Sequence, residues 1–198
     1  MSQSNMPTCK QRTTQPKGQL FYVMGASGAG KDSIINYAKS HLNYLHPIVF
    51  SHRYITRPNT TGAENHIALT RHAFALRRQH HCFALTWHSH KTDYGIGIEI
   101  TQWLAEGLSV VINGSREHLN QAIEHFPTLI PIVINANKEA LLKRLSQRGR
   151  ESAQNIEKRI AHSQTLTLNY PANTHTVNNN HTLQCAGNTF INILLAYS

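Results

Sequence analysis

Residues 21–33 read FYVMGASGAGKDS, and the parsing of this stretch decides the fold. Residues 20–24 are an uninterrupted apolar run of strand length, and Ile34, Ile35, Ala38 and Leu42 then fall on one face at helical spacing. Between them lies the pattern G-x-x-x-x-G-K. Strand, glycine-rich turn and helix form the setting in which that pattern cradles phosphate: the glycines let backbone N–H groups converge on phosphate oxygens, and the helix N-terminus adds positive potential. Gly25, Ala26, Ser27, Gly28, Ala29 and Gly30 therefore form a candidate nucleotide loop, with Lys31 placed to reach the β- and γ-phosphates as a point charge. The general pattern continues with a serine or threonine whose hydroxyl holds Mg2+, whereas this chain has Asp32, followed by Ser33. A carboxylate in a first helical turn is favoured by the macrodipole with or without a ligand. It is also a hard oxygen donor, able to hold Mg2+ directly or through water. Both readings of Asp32 stand at this point.

Outward from the loop, apolar runs at 108–112 and 129–134 read as further buried strands, and 175–177 as a last one. Helical patterns occupy 100–106, 116–125, 138–148, 155–167 and 183–196. Strands alternating with helices predict an α/β fold, a doubly wound, mainly parallel sheet core built on the P-loop. Residues 51–94 differ. HRYIT, NHIAL and FALTW are short β-like pieces around one small helix near 73–78, dense in histidine and arginine, and they predict a lobe inserted into the core. The expected organisation is a single domain over 18–198, with core segments 18–50 and 95–198 and the lobe at 51–94. Residues 1–17 are polar and aperiodic, and a disordered extension is expected there.

Composition narrows the function. The 198 residues suit one domain, and 19 lysines and arginines against 10 acids give a net charge of +9. A positive field attracts nucleic acid or small polyanions. No basic tract with interleaved aromatics is present and the arginines gather near the motifs, so polyphosphate ligands are expected and nucleic acid is not. No apolar run approaches the roughly 18 residues of a membrane span. Without a secretory-type leader, a cytoplasmic protein with no membrane partner is expected. Cys9, Cys82 and Cys185 are an odd set without metal-ligand spacing, and no disulfide framework is implied. Oligomeric state leaves no mark in the sequence.

The order of motifs resembles the guanylate kinase family: the P-loop, RYITR (53–57), WHSHKTDYGIG (87–97), RLSQRGRE (144–151) and VNNN (177–180). That resemblance implies a parallel-sheet core, an acceptor-binding lobe and an arginine-bearing lid at about 148–160 that closes over ATP. Guanine-reading groups are missing, however. Leu85 stands where the family places a glutamate, NGS (113–115) replaces an acidic strand end, and Thr60 lies near the place of an arginine. A buried apolar side chain against the donors of guanine leaves each unpaired at about 1–3 kcal/mol. The sequence is more similar to the ribose 1,5-bisphosphate phosphokinases, sharing GASGAGKDS, HRYITR, GAENHIAL, YGIGIEI and VINGSR in order. Asp32 is part of that family's own loop pattern.

The resemblance implies ATP-dependent phosphorylation of ribose 1,5-bisphosphate at its 1-phosphate, giving 5-phospho-α-D-ribose 1-diphosphate and ADP, with Mg2+ as cofactor and a phosphorylated sugar and ATP as the small-molecule partners. The residues are compatible with it. An acceptor phosphate is already anionic at neutral pH, so the site needs positive charge and alignment rather than a general base. Arg53, Arg57, Tyr94 and Arg116 are the candidate acceptor contacts, with His52, His66, His88 and His90 as further donors and Glu64 as an organiser of the lobe. Lys31, Arg148 and Arg159 are the candidate catalytic cations, and Arg144 and Arg150 flank them. Asn179, beside Asn180, falls where the family contacts adenine. Two other readings remain open: a nucleoside-monophosphate kinase of altered specificity, and an inactive guanylate kinase-like binding module.

Overall fold

The computed structural model describes residues 18–58, 66–89, 91–147 and 170–198. Arg148, Arg150, Arg159, Thr60, Glu64, His90, the extension 1–17, the helix at 155–167 and the lid at 148–160 lie outside the described residues.

The core is a five-stranded, all-parallel sheet in the order β2-β7-β1-β8-β9, made of β1 (Leu20–Gly25), β2 (Ile48–Phe50), β7 (Ser109–Asn113), β8 (Ile130–Asn135) and β9 (His175–Asn178). Its strands are apolar at successive positions because both faces are covered. On one face, Phe21 and Val23 of β1 pack with Ile132 and Ile134 of β8 against α1 (Lys31–His41), α5 (Lys138–Gln147) and α6 (Leu183–Leu195). On the other, Tyr22 and Met24 join Ile112 against α3 (Glu99–Ala105) and α4 (Leu119–His125). Leu20, Phe21, Tyr22, Val23 and Met24 are at most 3% exposed, the price of a strand read from both sides.

The chain departs from the helix expected over 116–125. Arg116–His118 is a short 3-10 turn, and α4 begins only at Leu119, where apolar residues meet the sheet. Arg116 therefore sits on a tight turn at the exit of β7 rather than inside a helix.

A second sheet of four strands forms the lobe, in the order β4-β3-β6-β5, from β3 (Arg53–Ile55), β4 (His66–Ala68), β5 (Phe83–Ser89) and β6 (Thr92–Gly97). β6 runs antiparallel to both β3 and β5. The sheet thus continues to Gly97, past the limit at Tyr94 read from the sequence. A single helix, α2 (Arg71–Gln79), caps the lobe: Thr70 accepts a hydrogen bond from the Ala73 N–H through its side chain, and Phe74 is buried against Phe83. No helix among the described residues is long and apolar enough to cross a membrane.

Candidate active site

Chain order reverses at β1, whose neighbours are β7 on one side and β8 on the other, and ligands of open α/β sheets bind beyond the strand C-termini at such a point. Gly25 ends β1 there and the glycine loop follows. Gly30, the residue that opens α1, has φ 92°. A side chain at Gly30 would be strained in the left-handed region and would run into the amide of Asn179. Glycine at this cap offers no side chain to the first N–H groups of α1, a setting that suits an anion. Lys31 folds back over the loop, its Nζ donating to the carbonyls of Gly25 at 2.9 Å and Ala26 at 3.1 Å. Ser27 is exposed on the loop, and Ser33 is half-buried in the first turn of α1.

The loop is braced from beneath by residues distant in sequence. Asn179 is only 3% exposed, and its Nδ2 donates to the carbonyl of Ala29 at 2.8 Å. Arg144 of α5 donates through Nη2 to the carbonyl of Asn179 at 2.8 Å and through Nη1 to that of Ala29 at 3.3 Å. The structure places the Asn179 amide under the phosphate loop, on backbone, where the resemblance had set it toward adenine. Asn180 likewise turns its side chain to the Asn137 N–H at 2.7 Å, at the start of α5.

Asp32 is the junction between loop, sheet and lobe. Its Oδ1 accepts from Asn113 Nδ2 at 2.8 Å and forms an ion pair with Arg53 Nη2 at 3.5 Å. Arg53 also lies over the ring of Tyr94, 5.9 Å from its centroid, and Tyr94 in turn stacks on Trp87 with ring planes 3° apart. Thus the structure brings Asp32, Arg53 and Tyr94 together. Between α1, the end of β7 and β3 opens a cleft lined by Asp32, Asn36, Lys39, Ser51, Arg53 and Asn113, among others. Burial lowers the pKa of the Lys39 ammonium. Arg57 and Arg116 are both half-buried on the neighbouring segments.

Among the histidines, His66 is buried with Nε2 3.4 Å from the carbonyl of Arg57, a structural setting. His88 is exposed and pairs with Asp93 at 2.8 Å, whose backbone N–H donates to Thr56 Oγ1. His52 is exposed. Leu85, which the resemblance sets at the place of a glutamate, is 6% exposed and belongs to the same core cluster as Trp87 and Ile96. Sequence reading did not find Tyr22. Its hydroxyl accepts from the Ser115 N–H at 3.0 Å and donates to the Ser115 carbonyl at 2.8 Å, holding the turn after β7. Burial pushes its pKa up to about 12, a rise that the hydrogen bond to Ser115 partly opposes. Gly114 lies flat against that ring, where any Cβ would collide.

The residues fit a triphosphate and a hard metal ion in kind: an uncapped helix start, a loop lysine, and a carboxylate fixed by an amide. No group of three or more His, Cys, Asp or Glu side chains that could hold a metal occurs among the described residues, so phosphate oxygens and water would complete such a shell.

A protein from Psychromonas ingrahamii called ribose 1,5-bisphosphate phosphokinase PhnN is 46% identical over 96% of this chain and 96% of its own length. The chain belongs to the ribose 1,5-bisphosphate phosphokinase family. Another family member, from Chromobacterium violaceum, is 46% identical over 88% of this chain and 92% of its own. A third, from Laribacter hongkongensis, is 51% identical over 88% of this chain, which spans only 42% of that longer protein. No family model matches the chain. In architecture it is similar to the crystal structure of a guanylate kinase from Anaplasma phagocytophilum, with a TM-score of 0.65 at 15% identity, over 92% of this chain and 87% of that one. The family's P-loop thus rests on a guanylate kinase-like α/β scaffold.

Proposed function

We propose that this protein is a kinase that transfers the γ-phosphoryl group of ATP to the 1-phosphate of ribose 1,5-bisphosphate, releasing 5-phospho-α-D-ribose 1-diphosphate and ADP. The observation that carries this reading is the meeting of Asp32 on the P-loop helix with Arg53 of the lobe, at the mouth of a cation-lined cleft, in a chain whose relatives bear that enzyme name. In this reading the loop N–H groups and Lys31 hold the donor's phosphates, while Arg53, Arg57, Tyr94 and Arg116 hold the acceptor. Lys31, Arg148 and Arg159 neutralise charge on the transferring phosphoryl group. Asp32 and Ser33 would hold Mg2+, which would supply positive charge to offset that of the phosphates. The acceptor oxygen enters already ionised, so no side chain has to remove a proton. What the protein contributes is proximity of two mutually repelling anions.

The test is direct. Purified protein with ATP, Mg2+ and ribose 1,5-bisphosphate is expected to form the diphosphate product and ADP in equal amounts. Release of ADP with GMP or another nucleoside monophosphate, and none with the sugar, would transfer the reading to a nucleotide acceptor. Silence with every acceptor would leave a binding module.

A further inference from the structure

Asn113 ends β7 beside the cleft and is only 7% exposed. Its amide has a determined orientation. An ionised carboxylate only accepts, so the end turned to Asp32 Oδ1 at 2.8 Å is the NH2 group, and the carbonyl oxygen is the other end. That Oδ1 is buried and takes no hydrogen bond from any described residue. A buried acceptor without a donor is costly to keep and rare, and one beside a binding cleft is a place for a ligand's donor. The cleft's other lining groups select what that ligand is. Arg53 and Lys39 only donate and suit phosphate oxygens, which at neutral pH have no proton to give back to Asn113. The ligand must therefore carry both anionic oxygens and a hydrogen-bond donor, which on a phosphorylated sugar is a hydroxyl.

We propose that Asn113 is a specificity residue: with Nδ2 anchored on Asp32, its Oδ1 accepts a hydrogen bond from an O–H group brought in with the acceptor. This rests on the acceptor reading above. Two sources share that chemistry, a hydroxyl of the phosphorylated sugar and a water on the metal ion. A site built to pair a hydroxyl rejects the analogue lacking it far more strongly than an apolar site does.

The experiment compares kcat/KM for ribose 1,5-bisphosphate with that for its 2-deoxy and 3-deoxy analogues, each across an Mg2+ titration, in the wild type, Asn113→Ala and Asn113→Asp. Thermal melts establish that each variant is folded. The wild type is expected to favour the full sugar over one analogue by about tenfold or more. Asn113→Ala is expected to bring that ratio near unity, and Asn113→Asp, which loses the anchoring Nδ2 and sets a second carboxylate against Asp32, to lose the preference and weaken acceptor binding as well. Should Asn113→Ala fail to fold, Asn113→Asp together with Asn113→Leu carries the comparison. An unchanged ratio with a several-fold higher Mg2+ requirement assigns the donor to metal-bound water and overturns the specificity role. Variants that match the wild type in both ratio and Mg2+ requirement overturn the proposal. A wild type that phosphorylates none of the three sugars refutes the function proposed above instead.

Discussion

Asp32 carries a different load from the hydroxyl that usually follows a P-loop lysine. It ties together α1, the end of β7 and the lobe through Asn113 and Arg53, so one carboxylate joins the glycine-loop helix to both the core sheet and the lobe. Tyr22 plays the matching part beneath β7. Its neutral hydroxyl is required, since it both gives to and takes from Ser115. The sign of its pH effect follows from its shifted pKa. The folded value is raised from 10.0 to about 12, so its stabilising contribution is whole below pH 10 and is lost as pH climbs through that window. Tyr22→Phe is expected to lower stability at pH 7 by about 1–3 kcal/mol, because the Ser115 N–H loses its partner. It is also expected to flatten the decline in melting temperature between pH 10 and 12. A variant that melts like the wild type at both ends of that range would show the turn to be held by something else.

At the scale of elements, the glycine loop is a hinge-free piece: α5 and the end of β9 clamp its Ala29 carbonyl from below. Gly30→Ala sets a methyl group in the left-handed region and against the Asn179 amide. Backbone strain alone costs about 1–2 kcal/mol, which in a chain of this size lowers the melting temperature by about 2–8 °C. The same change should weaken ATP binding measured by calorimetry, because it displaces the clamp. Retained ATP affinity would mean that the loop tolerates movement here. Much of this was legible in the sequence and some was not, for physical reasons. β1, β7 and β8 are buried on both faces and announce themselves as apolar runs. β6, TDYGIG, has two glycines and a charge, and it is a strand only because β3 and β5 bond to its two edges. The loop was readable because its chemistry is local. Its supports were not, since the contacts of Asp32 with Asn113, Tyr22 with Ser115, Arg144 with Ala29 and Asn179 with Ala29 span 81, 93, 115 and 150 residues. Only the fold brings such pairs into register.

For the molecule as a whole, part of the cationic excess lies at the cleft: of the 19 lysines and arginines, Arg53 and Lys39 line it, with Arg57 and Arg116 on adjoining segments. Attraction of a bisphosphate into such a site is long-ranged and screened by salt, with a Debye length of about 10 Å at 0.1 M falling to about 3 Å at 1 M. Raising KCl from about 50 to 500 mM is therefore expected to increase the acceptor KM by roughly threefold or more while kcat changes less, the contacts made after docking being short and partly buried. A KM indifferent to salt would show that the excess charge serves only solubility.

The order of the core sheet also has a consequence for how the protein is made. β1 precedes its partners by a long stretch of chain, since Leu20 pairs with Val110 and Phe21 with Ile130. The P-loop strand thus has no partner until the second half of the chain has been synthesised, and the nascent first half presents an unpaired apolar segment in the meantime. A phosphate loop at the centre of the sheet thus entails a long interval in which its strand is unpaired and open to association with other chains.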